Sequence, residues 1–331
     1  MTSSADLTLV PPPDDPGTRP RPDRRALPAR WRDKIHYLTY TGLGAAMGHM
    51  PEPMAHGIAR GVAGVMAARG GPALAMHERH MRRVLASECP PGVEPDPALV
   101  RRLSKRSFDY YARYWADGAR LPYETEAGVR LHWRLEEGRE HLTNAMAEGK
   151  GIVMALPHVG SWEWGGYWLG LEGMPMTAVV EVLEPEELFE WFLAKRAAMG
   201  LTGVPLGEGA SSALIRALKN NELAGLVSDR DLLGNGVEVE FFGERTTLPG
   251  GAATLSIRTG APLIPVCVYS GPGRNWHTAV VHAPIDTTRQ GTLRHDVARI
   301  TQELAHVFEY DIRRHPEQWH MYQPNWPSDP R

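Results

Sequence analysis

The stretch that decides the fold is residues 151–166, which read GIVMALPHVGSWEWGG. The apolar run 152–156 has the length and composition of one buried strand, and the proline that follows ends it. A polar turn comes next, and the chain can begin a helix with Ser161 as its cap and Glu163 in the first turn. We therefore expect His158 in a turn at the carboxyl end of a central strand, where open α/β sheets bind their ligands.

The same pattern of strand and helix continues along the second half of the chain. Apolar runs typical of strands alternate there with amphipathic segments typical of helices. The predicted strands are GIVMALP (151–157), MTAVVEVL (176–183), ELAGLVSDRD (222–231), GVEVEFFG (236–243), APLIPVCVYS (261–270) and TAVVHAPI (278–285), and the predicted helices span 186–199, 211–219, 250–259 and 292–314. This alternation predicts an α/β fold with a mostly parallel central sheet flanked by helices.

The first part of the chain has a different composition. Residues 1–30 contain seven prolines and scattered arginines, and they predict a disordered Pro/Arg-rich tail. We expect residues 31–331 to form a single domain. Within it, residues 31–125 are predicted to be an N-terminal helical segment that faces a membrane, and residues 126–331 are predicted to be the α/β core.

Composition limits the classes of protein that the chain can belong to. The formal net charge of -3 gives no reason to expect a nucleic-acid partner. Cys89 and Cys267 lie far apart, which favours neither a disulfide framework nor a zinc ribbon and suits a reducing cytosol. The start of the sequence lacks the features of a signal peptide, and no window has the roughly 20 apolar residues that cross a bilayer. We therefore expect a protein that does not span a membrane.

The turn after the first strand suggests acid–base chemistry. A histidine after a strand is more often an ordinary polar residue than a catalyst, so the spacing from His158 to Glu163 does not identify a site alone. With His158 on the loop, however, Glu163 on the following helix can reach back to it. An acid partner fixes the tautomer of an imidazole and stabilises its charge, as general-base catalysis requires. Backbone N–H groups of residues 159–162 could stabilise a negatively charged oxygen.

Other catalytic chemistries fit the sequence poorly. Ser161 lacks the Gly-x-Ser-x-Gly pattern of a nucleophilic serine because Val159 occupies the first glycine position. Cys267 lies inside an apolar strand, so a covalent acyl-enzyme is not expected. No second histidine or cysteine accompanies His158 at the spacing of metal ligands, and we expect no metal.

Four separate blocks of sequence carry a resemblance to a known family. The blocks are HVGSWEW (158–164), FDYYARYWADGARLP (108–122), residues 228–266 and HPEQWHMYQPNW (315–326). The first resembles the His-x-x-x-x-Asp/Glu signature of the lysophospholipid and lipid A acyltransferase superfamily. All four are similar to the actinobacterial phosphatidylinositol mannoside acyltransferases of that superfamily. The resemblance covers roughly residues 31–327 and implies an acyltransferase-type fold.

The resemblance also implies roles for three catalytic residues. His158 would be the general base, and Glu163 would be the acidic member of the motif. Asp229 stands where the mannoside acyltransferases place a second acid beside the histidine. Which of the two acids orients His158 is open from the sequence. We favour Asp229, because it follows a strand and can emerge beside His158 if the two strands are neighbours.

Several further residues are expected to bind substrate. The resemblance places Arg196 and Arg230 in the site as charge partners and Glu181 as a polar wall residue. The alternative is that these three side chains only form solvated ion pairs at the surface. We expect Ser161 and Trp162, which lie in the turn itself, to contact substrate as well.

The resemblance implies an O-acyltransferase that needs no cofactor. Its co-substrate would be acyl-coenzyme A, and the acceptor would be a mannose hydroxyl of a phosphatidylinositol mannoside. The alternatives are a lipid A-type or lysophospholipid acyltransferase that uses another acceptor, for which acyl carrier protein is a possible donor, an α/β hydrolase, or an inactive lipid-binding protein.

A glycolipid or phospholipid acceptor is met at a bilayer surface, so we expect a peripheral protein on the cytoplasmic face of the cell membrane. Helical segments near 35–69 could lie in the interface, with Arg60 and Arg69 toward the headgroups. Two groups of aromatic residues have open roles. Tryptophans at 162, 164, 168, 319 and 326 suit either a lipid interface or packing, and Phe241 and Phe242 suit either the core or the wall of an acyl tunnel.

Overall fold

A computed structural model describes residues 29–271 and 276–330 of the chain. The predicted tail 1–30 lies outside them except for residues 29 and 30, which begin the first helix. The helices are α1 Ala29–His49, α2 Glu52–Arg69, α3 Pro72–Ala86, α4 Pro97–Arg120, α5 Glu126–His132, α6 Arg139–Ala147, α7 Trp162–Leu171, α8 Glu186–Ala197, α9 Ala210–Lys219, α10 Gly251–Thr259 and α11 Leu293–Arg314. The strands are β1 Trp133–Glu137, β2 Ile152–Leu156, β3 Met176–Val180, β4 Leu201–Pro205, β5 Leu223–Val227, β6 Val237–Phe241, β7 Glu244–Leu248, β8 Leu263–Ser270 and β9 His277–Val281.

The central sheet has seven strands in the order β1-β9-β8-β2-β5-β3-β4. Neighbouring strands are parallel except β8 and β9, which form an antiparallel pair. The predicted α/β fold with a mostly parallel sheet is therefore confirmed. The predicted strand GVEVEFFG does not join this sheet. It provides β6, which forms a separate antiparallel hairpin with β7, because a turn of two residues at Phe242 and Gly243 lets the chain reverse there.

Strand β2 lies inside the sheet and is buried on both faces. Alternate side chains of a strand point to opposite faces, and β2 divides in this way. Val153 and Ala155 pack in the core that includes α9, α10 and α11, whereas Ile152, Met154 and Leu156 pack in the core that includes α7. Because helices cover both faces, β2 reads as a continuous apolar run. The end of this strand positions the turn that carries His158.

The N-terminal helices pack against one another through small residues. Helix α2 contacts α4, and its buried residues include Ala55, Ala59, Ala63 and Ala67. These alanines recur every fourth residue, so they form one face of the helix and allow close approach. Among the described residues, the structure contains no helix long and apolar enough to cross a membrane.

Tryptophans 164, 168, 319 and 326 and the pair Phe241 and Phe242 pack inside the protein. Trp164, Trp168, Trp319 and Trp326 are all buried. Phe241 and Phe242 are buried in the same apolar core as Trp319. A side chain enclosed by the protein does not face lipid, so packing is the alternative that fits these four tryptophans, and Phe241 and Phe242 belong to the core.

Candidate active site

His158 and Asp229 meet at the carboxyl edge of the sheet. Strands β2 and β5 are adjacent and parallel, with Leu156 opposite Val227, so the residues that follow each strand lie side by side. Nδ1 of His158 lies 2.5 Å from Oδ1 of Asp229. The backbone N–H of His158 donates a second hydrogen bond to Oδ2 of the same carboxylate, at 2.9 Å. Asp229 thus holds both the ring and the backbone of the histidine.

Burial makes the histidine–aspartate pair electrostatically strong. The Asp229 side chain is fully buried, whereas 34% of the His158 side chain is exposed. Burial alone raises the pKa of the Asp229 carboxyl, but the charge of His158 and hydrogen bonds from His158 and Trp319 lower it, and the net pKa lies below its ordinary value. The carboxylate is therefore ionised at neutral pH. An Nδ1–H donated to it leaves Nε2 of the accessible imidazole as the proton acceptor.

Glu163 has a different partner. It lies in the first turn of α7 and accepts hydrogen bonds from Arg196 of α8, with Nη2 at 2.9 Å and Nε at 3.2 Å from Oε1. Both side chains are largely buried, so this is not a solvated surface pair. Among the described residues, Asp229 is the acid within 4.0 Å of the imidazole of His158. The expectation that Glu163 also touches the imidazole is wrong, because the Arg196 guanidinium binds its carboxylate instead.

Arg230 and Glu181 lie at the same edge of the sheet. Arg230 directly follows Asp229, and Glu181 follows β3, which is the other neighbour of β5. Nη1 of Arg230 is 4.0 Å from Oε2 of Glu181, and the Glu181 side chain is more exposed than that of Arg230. Thus the pair leaves an accessible carboxylate at the carboxyl edge of the sheet.

Helix α7, which follows this turn, does not begin as expected. Ser161 occupies the cap position, but its Oγ is buried without a hydrogen-bond partner among the described residues. The reason is that the N–H of Trp164, which a side-chain cap would bind, donates to the Ser161 backbone carbonyl at 3.1 Å. The aromatic ring of Trp162, which is half-buried, lies 5.2 Å from the Arg196 guanidinium carbon.

The backbone N–H groups of the turn are only partly available. That of Val159 donates to the carbonyl of Pro157, and that of Gly160 donates to the carbonyl of Gln318. The expected anion-binding set of residues 159–162 is therefore too large. The remaining N–H groups of Ser161 and Trp162 lie at the start of α7, where a helix offers donors without internal partners.

A small apolar cavity lies between α7 and the sheet, with a volume of about 30 Å³. Its lining is apolar and includes Leu156, Trp162, Trp168, Met176, Val227 and Val268. Leu156 and Trp162 flank the turn that carries His158, so the cavity begins close to the candidate base.

Residues of the C-terminal segment, which no local sequence pattern predicts, hold this turn from the other side. The N–H of His320 donates to the carbonyl of His158 at 2.8 Å. The indole N–H of Trp319 donates to Oδ2 of Asp229, also at 2.8 Å. Trp319 follows Asp229 by 90 residues, so no local pattern connects them. The only signal was the resemblance of block 315–326.

The described residues contain no group of three or more His, Cys, Asp or Glu side chains arranged to hold a metal ion. A mechanism without a metal stays a prediction.

Comparison with known families defines the class of this protein as an acyltransferase. Residues 28–328 match the family described as bacterial lipid A biosynthesis acyltransferase. The chain therefore belongs to this family, and it is an enzyme that transfers acyl groups.

Two relatives agree with the assignment to this family. A phosphatidylinositol mannoside acyltransferase of Mycobacterium tuberculosis (strain CDC 1551 / Oshkosh) is 38% identical over 268 residues, which are 80% of this chain and 79% of the relative. A protein of the same name from Mycolicibacterium smegmatis is 38% identical over 303 residues, covering 87% of this chain and 92% of the relative. The resemblance inferred from the four sequence blocks is confirmed.

Proposed function

We propose that this enzyme moves a fatty-acyl chain from acyl-coenzyme A to a mannose hydroxyl of a phosphatidylinositol mannoside, with His158 as general base and no covalent intermediate. The observation that carries the proposal is the His158–Asp229 pair at the carboxyl edge of the sheet, next to an apolar cavity. The names of the mycobacterial relatives support a glycolipid acceptor.

The proposed reaction is a direct transfer in which atoms and charge balance. Nε2 of His158 removes the proton of the acceptor hydroxyl as its oxygen attacks the thioester carbonyl. Asp229 stabilises the imidazolium that forms, and the carbonyl oxygen becomes an oxyanion. When the C–S bond breaks, His158 returns the proton to the sulfur. The products are the acylated sugar and free coenzyme A.

Two N–H groups are suited to the oxyanion. Those of Ser161 and Trp162 lie at the start of α7, which begins directly after the turn of His158. Donors fixed there before the reaction stabilise the charge as it develops, without reorganisation. We infer that the carbonyl carbon of the donor lies between these groups and Nε2 of His158.

The rest of the site divides by polarity. The acyl chain suits the apolar side of the site, where the lining of the small cavity offers hydrocarbon and few hydrogen-bonding groups. Arg230, Glu181 and the Arg196–Glu163 pair form the charged part of the site, which suits sugar hydroxyls and phosphates.

We propose further that the enzyme is peripheral, on the cytoplasmic face of the cell membrane, and that α2 contacts the bilayer. The face of α2 next to its buried alanines exposes Met54, Ile58, Val62 and Met66, each by 45% or more. Arg60 and Arg69 of the same helix are exposed and suit anionic headgroups.

Release of free thiol from palmitoyl-coenzyme A, with and without purified phosphatidylinositol mannoside, tests the proposal. We expect thiol release that depends on the acceptor, and a product whose mass increases by one palmitoyl group. His158→Ala should lower the rate by about two to four orders of magnitude, the usual contribution of a general base. Circular dichroism should show the wild-type fold for this variant.

The alternatives give different results in the same assay. Thiol release that does not need an acceptor indicates a hydrolase. Acylation of a lysophospholipid or lipid A precursor, but not of the mannoside, assigns the enzyme another acceptor. Activity with acyl carrier protein alone replaces the proposed donor. A His158→Ala variant within tenfold of wild type contradicts the mechanism.

A further inference from the structure

The segment 318–320 lies along the turn of His158 as a short antiparallel bridge. Val159 pairs with Trp319, and the N–H of Gly160 donates to the carbonyl of Gln318. The Gln318 side chain is itself fixed, because it donates to the carbonyl of Ser270 and accepts from its N–H. This clamp, residues 318–320, therefore ties the turn to the end of β8.

Helix α3 holds the same segment from outside. Nε2 of His77 lies 3.1 Å from the carbonyl oxygen of Trp319, and Nδ1 of His80 lies 3.1 Å from that of Met321. Both histidines are fully buried. The backbone on each side of Trp319 is thus fixed, and its indole has little freedom to move.

The indole completes the hydrogen bonding of the catalytic pair's carboxylate. Oδ1 of Asp229 contacts the imidazole, whereas Oδ2 accepts from the His158 backbone and from Nε1 of Trp319. Two donors on one oxygen fix the rotation of the carboxylate, so that its other oxygen faces Nδ1. Without the indole N–H, the His158 backbone N–H is the one donor left on Oδ2, and the carboxylate can rotate.

We propose that Trp319 is a positioning residue for catalysis, which acts by holding the Asp229 carboxylate in the orientation that His158 needs. The inference rests on the proposed role of His158 as the base. Trp319 touches neither the base nor the reacting atoms of that mechanism. Its effect is transmitted through Asp229 alone, and this separates it from the other aromatic residues of the same core.

The chain supplies a matched control. Trp326 packs against Phe241 in the same cluster as Trp319, with its ring 6.2 Å from that of Trp319. Its indole N–H donates to the carbonyl of Phe241 at 3.3 Å instead of to Asp229. Both tryptophans are buried, so replacing either one perturbs the same core.

The test compares Trp319→Phe and Trp326→Phe in the acyl-transfer assay across pH. A donor lost from Oδ2 leaves more negative charge on the carboxylate that faces the imidazole. We expect Trp319→Phe to lower kcat by about tenfold to a hundredfold, the usual worth of one hydrogen bond to a charged group, with little change in KM. The acidic limb of its kcat/KM profile should move to higher pH, while Trp326→Phe keeps the wild-type limb.

A double-mutant cycle gives a second measurement. If Trp319 acts through Asp229, then Trp319→Phe should cost no further activity in an Asp229→Asn background. Equal costs in the two backgrounds, together with an unmoved acidic limb, would mean that Trp319 only packs, and would overturn the proposal.

Two controls keep the outcome decisive. If Trp319→Phe does not fold, benzothienylalanine at position 319 retains the ring shape and replaces only the N–H with sulfur, so the same pH shift decides. Failure of the proposed function is distinguishable, since it shows as wild-type enzyme without transfer that depends on the acceptor, or as an active His158→Ala variant.

Discussion

At the scale of single residues, the two acids of the site have different surroundings. Asp229 is fully buried and accepts three hydrogen bonds, one from Trp319 and two from His158. Glu163 shares a largely buried ion pair with Arg196, on the opposite side of the turn. Asp229 therefore holds the imidazole, whereas Glu163 joins α7 to α8.

Substitution of each acid by its amide should separate these roles. The amide introduced by Asp229→Asn places N–H groups against N–H donors, so we expect this variant to lower kcat by about a thousandfold or more, as in triads that lose the orienting acid. Glu163→Gln leaves the Arg196 charge largely buried without its partner and should destabilise the fold by roughly 3–5 kcal/mol, with a smaller loss of kcat. Steady-state kinetics and urea unfolding measure the two effects.

A compensating variant serves as the control for Glu163. Replacing both members of the pair, with Glu163→Gln and Arg196→Met, should restore part of the lost stability, because no buried charge is left unpaired. The assignment is contradicted if Glu163→Gln lowers kcat as much as Asp229→Asn does.

The sequence could predict which residues reach the edge of the sheet, but not which of them touch. His158 and Asp229 each follow an apolar run, and that local signal places both at the ends of strands. Their contact depends on β2 and β5 being neighbours, which is a property of the sheet order and not of either segment. Trp319 lies in an irregular stretch with no periodic pattern, so only its tertiary contacts reveal its role.

At the scale of elements, the predicted helices of the α/β core agree with the structure to within two residues at each end. Their apolar faces and flanking glycines or prolines are local signals. The apolar runs do not predict β1, β4 or β7. Of these, β1 and β4 lie at the edges of the central sheet, where much of the strand is exposed, and β7 belongs to the separate hairpin. A half-exposed strand lacks the continuous apolar run by which the buried strands were recognised.

Helix α2 allows a test of membrane contact. Val62 is 54% exposed on the apolar face of α2, and Val93 is 53% exposed in the loop between α3 and α4. We expect Val62→Asp to weaken binding to anionic liposomes about tenfold, since it removes apolar area from the bilayer and adds a repelled charge. Val93→Asp should leave binding unchanged in the same sedimentation assay. Equal losses for the two variants would show that α2 is not the contact surface.

At the scale of the whole molecule, buried histidines make stability depend on pH. Burial lowers the pKa of His77, His277 and His320 to about 3 in the folded protein. In the unfolded chain their pKa returns to about 6.5, so below that pH the unfolded state binds protons that the folded state does not. The free energy of unfolding should therefore fall as pH decreases from about 6.5 toward 3.

Urea unfolding between pH 8 and pH 4.5 measures this slope. Each histidine contributes at most about 1.4 kcal/mol per pH unit, and His277→Gln should remove its share. His295→Gln is the control, because that side chain is 65% exposed, and it should leave the slope unchanged. An unfolding free energy that stays constant from pH 7 to pH 5 would contradict the expectation.

The clamp is also synthesised after the other parts of the site. His158 and Asp229 leave the ribosome before Trp319, which follows Asp229 by 90 residues. In that interval β2 and β5 can pair, since both have been translated, but the turn between β2 and α7 lacks the hydrogen bonds that residues 318–320 supply. A nascent chain that stops before residue 318 thus carries every strand of the central sheet and an unfinished site. The capacity to act on a substrate arrives as a late event of translation, after the scaffold is already in place.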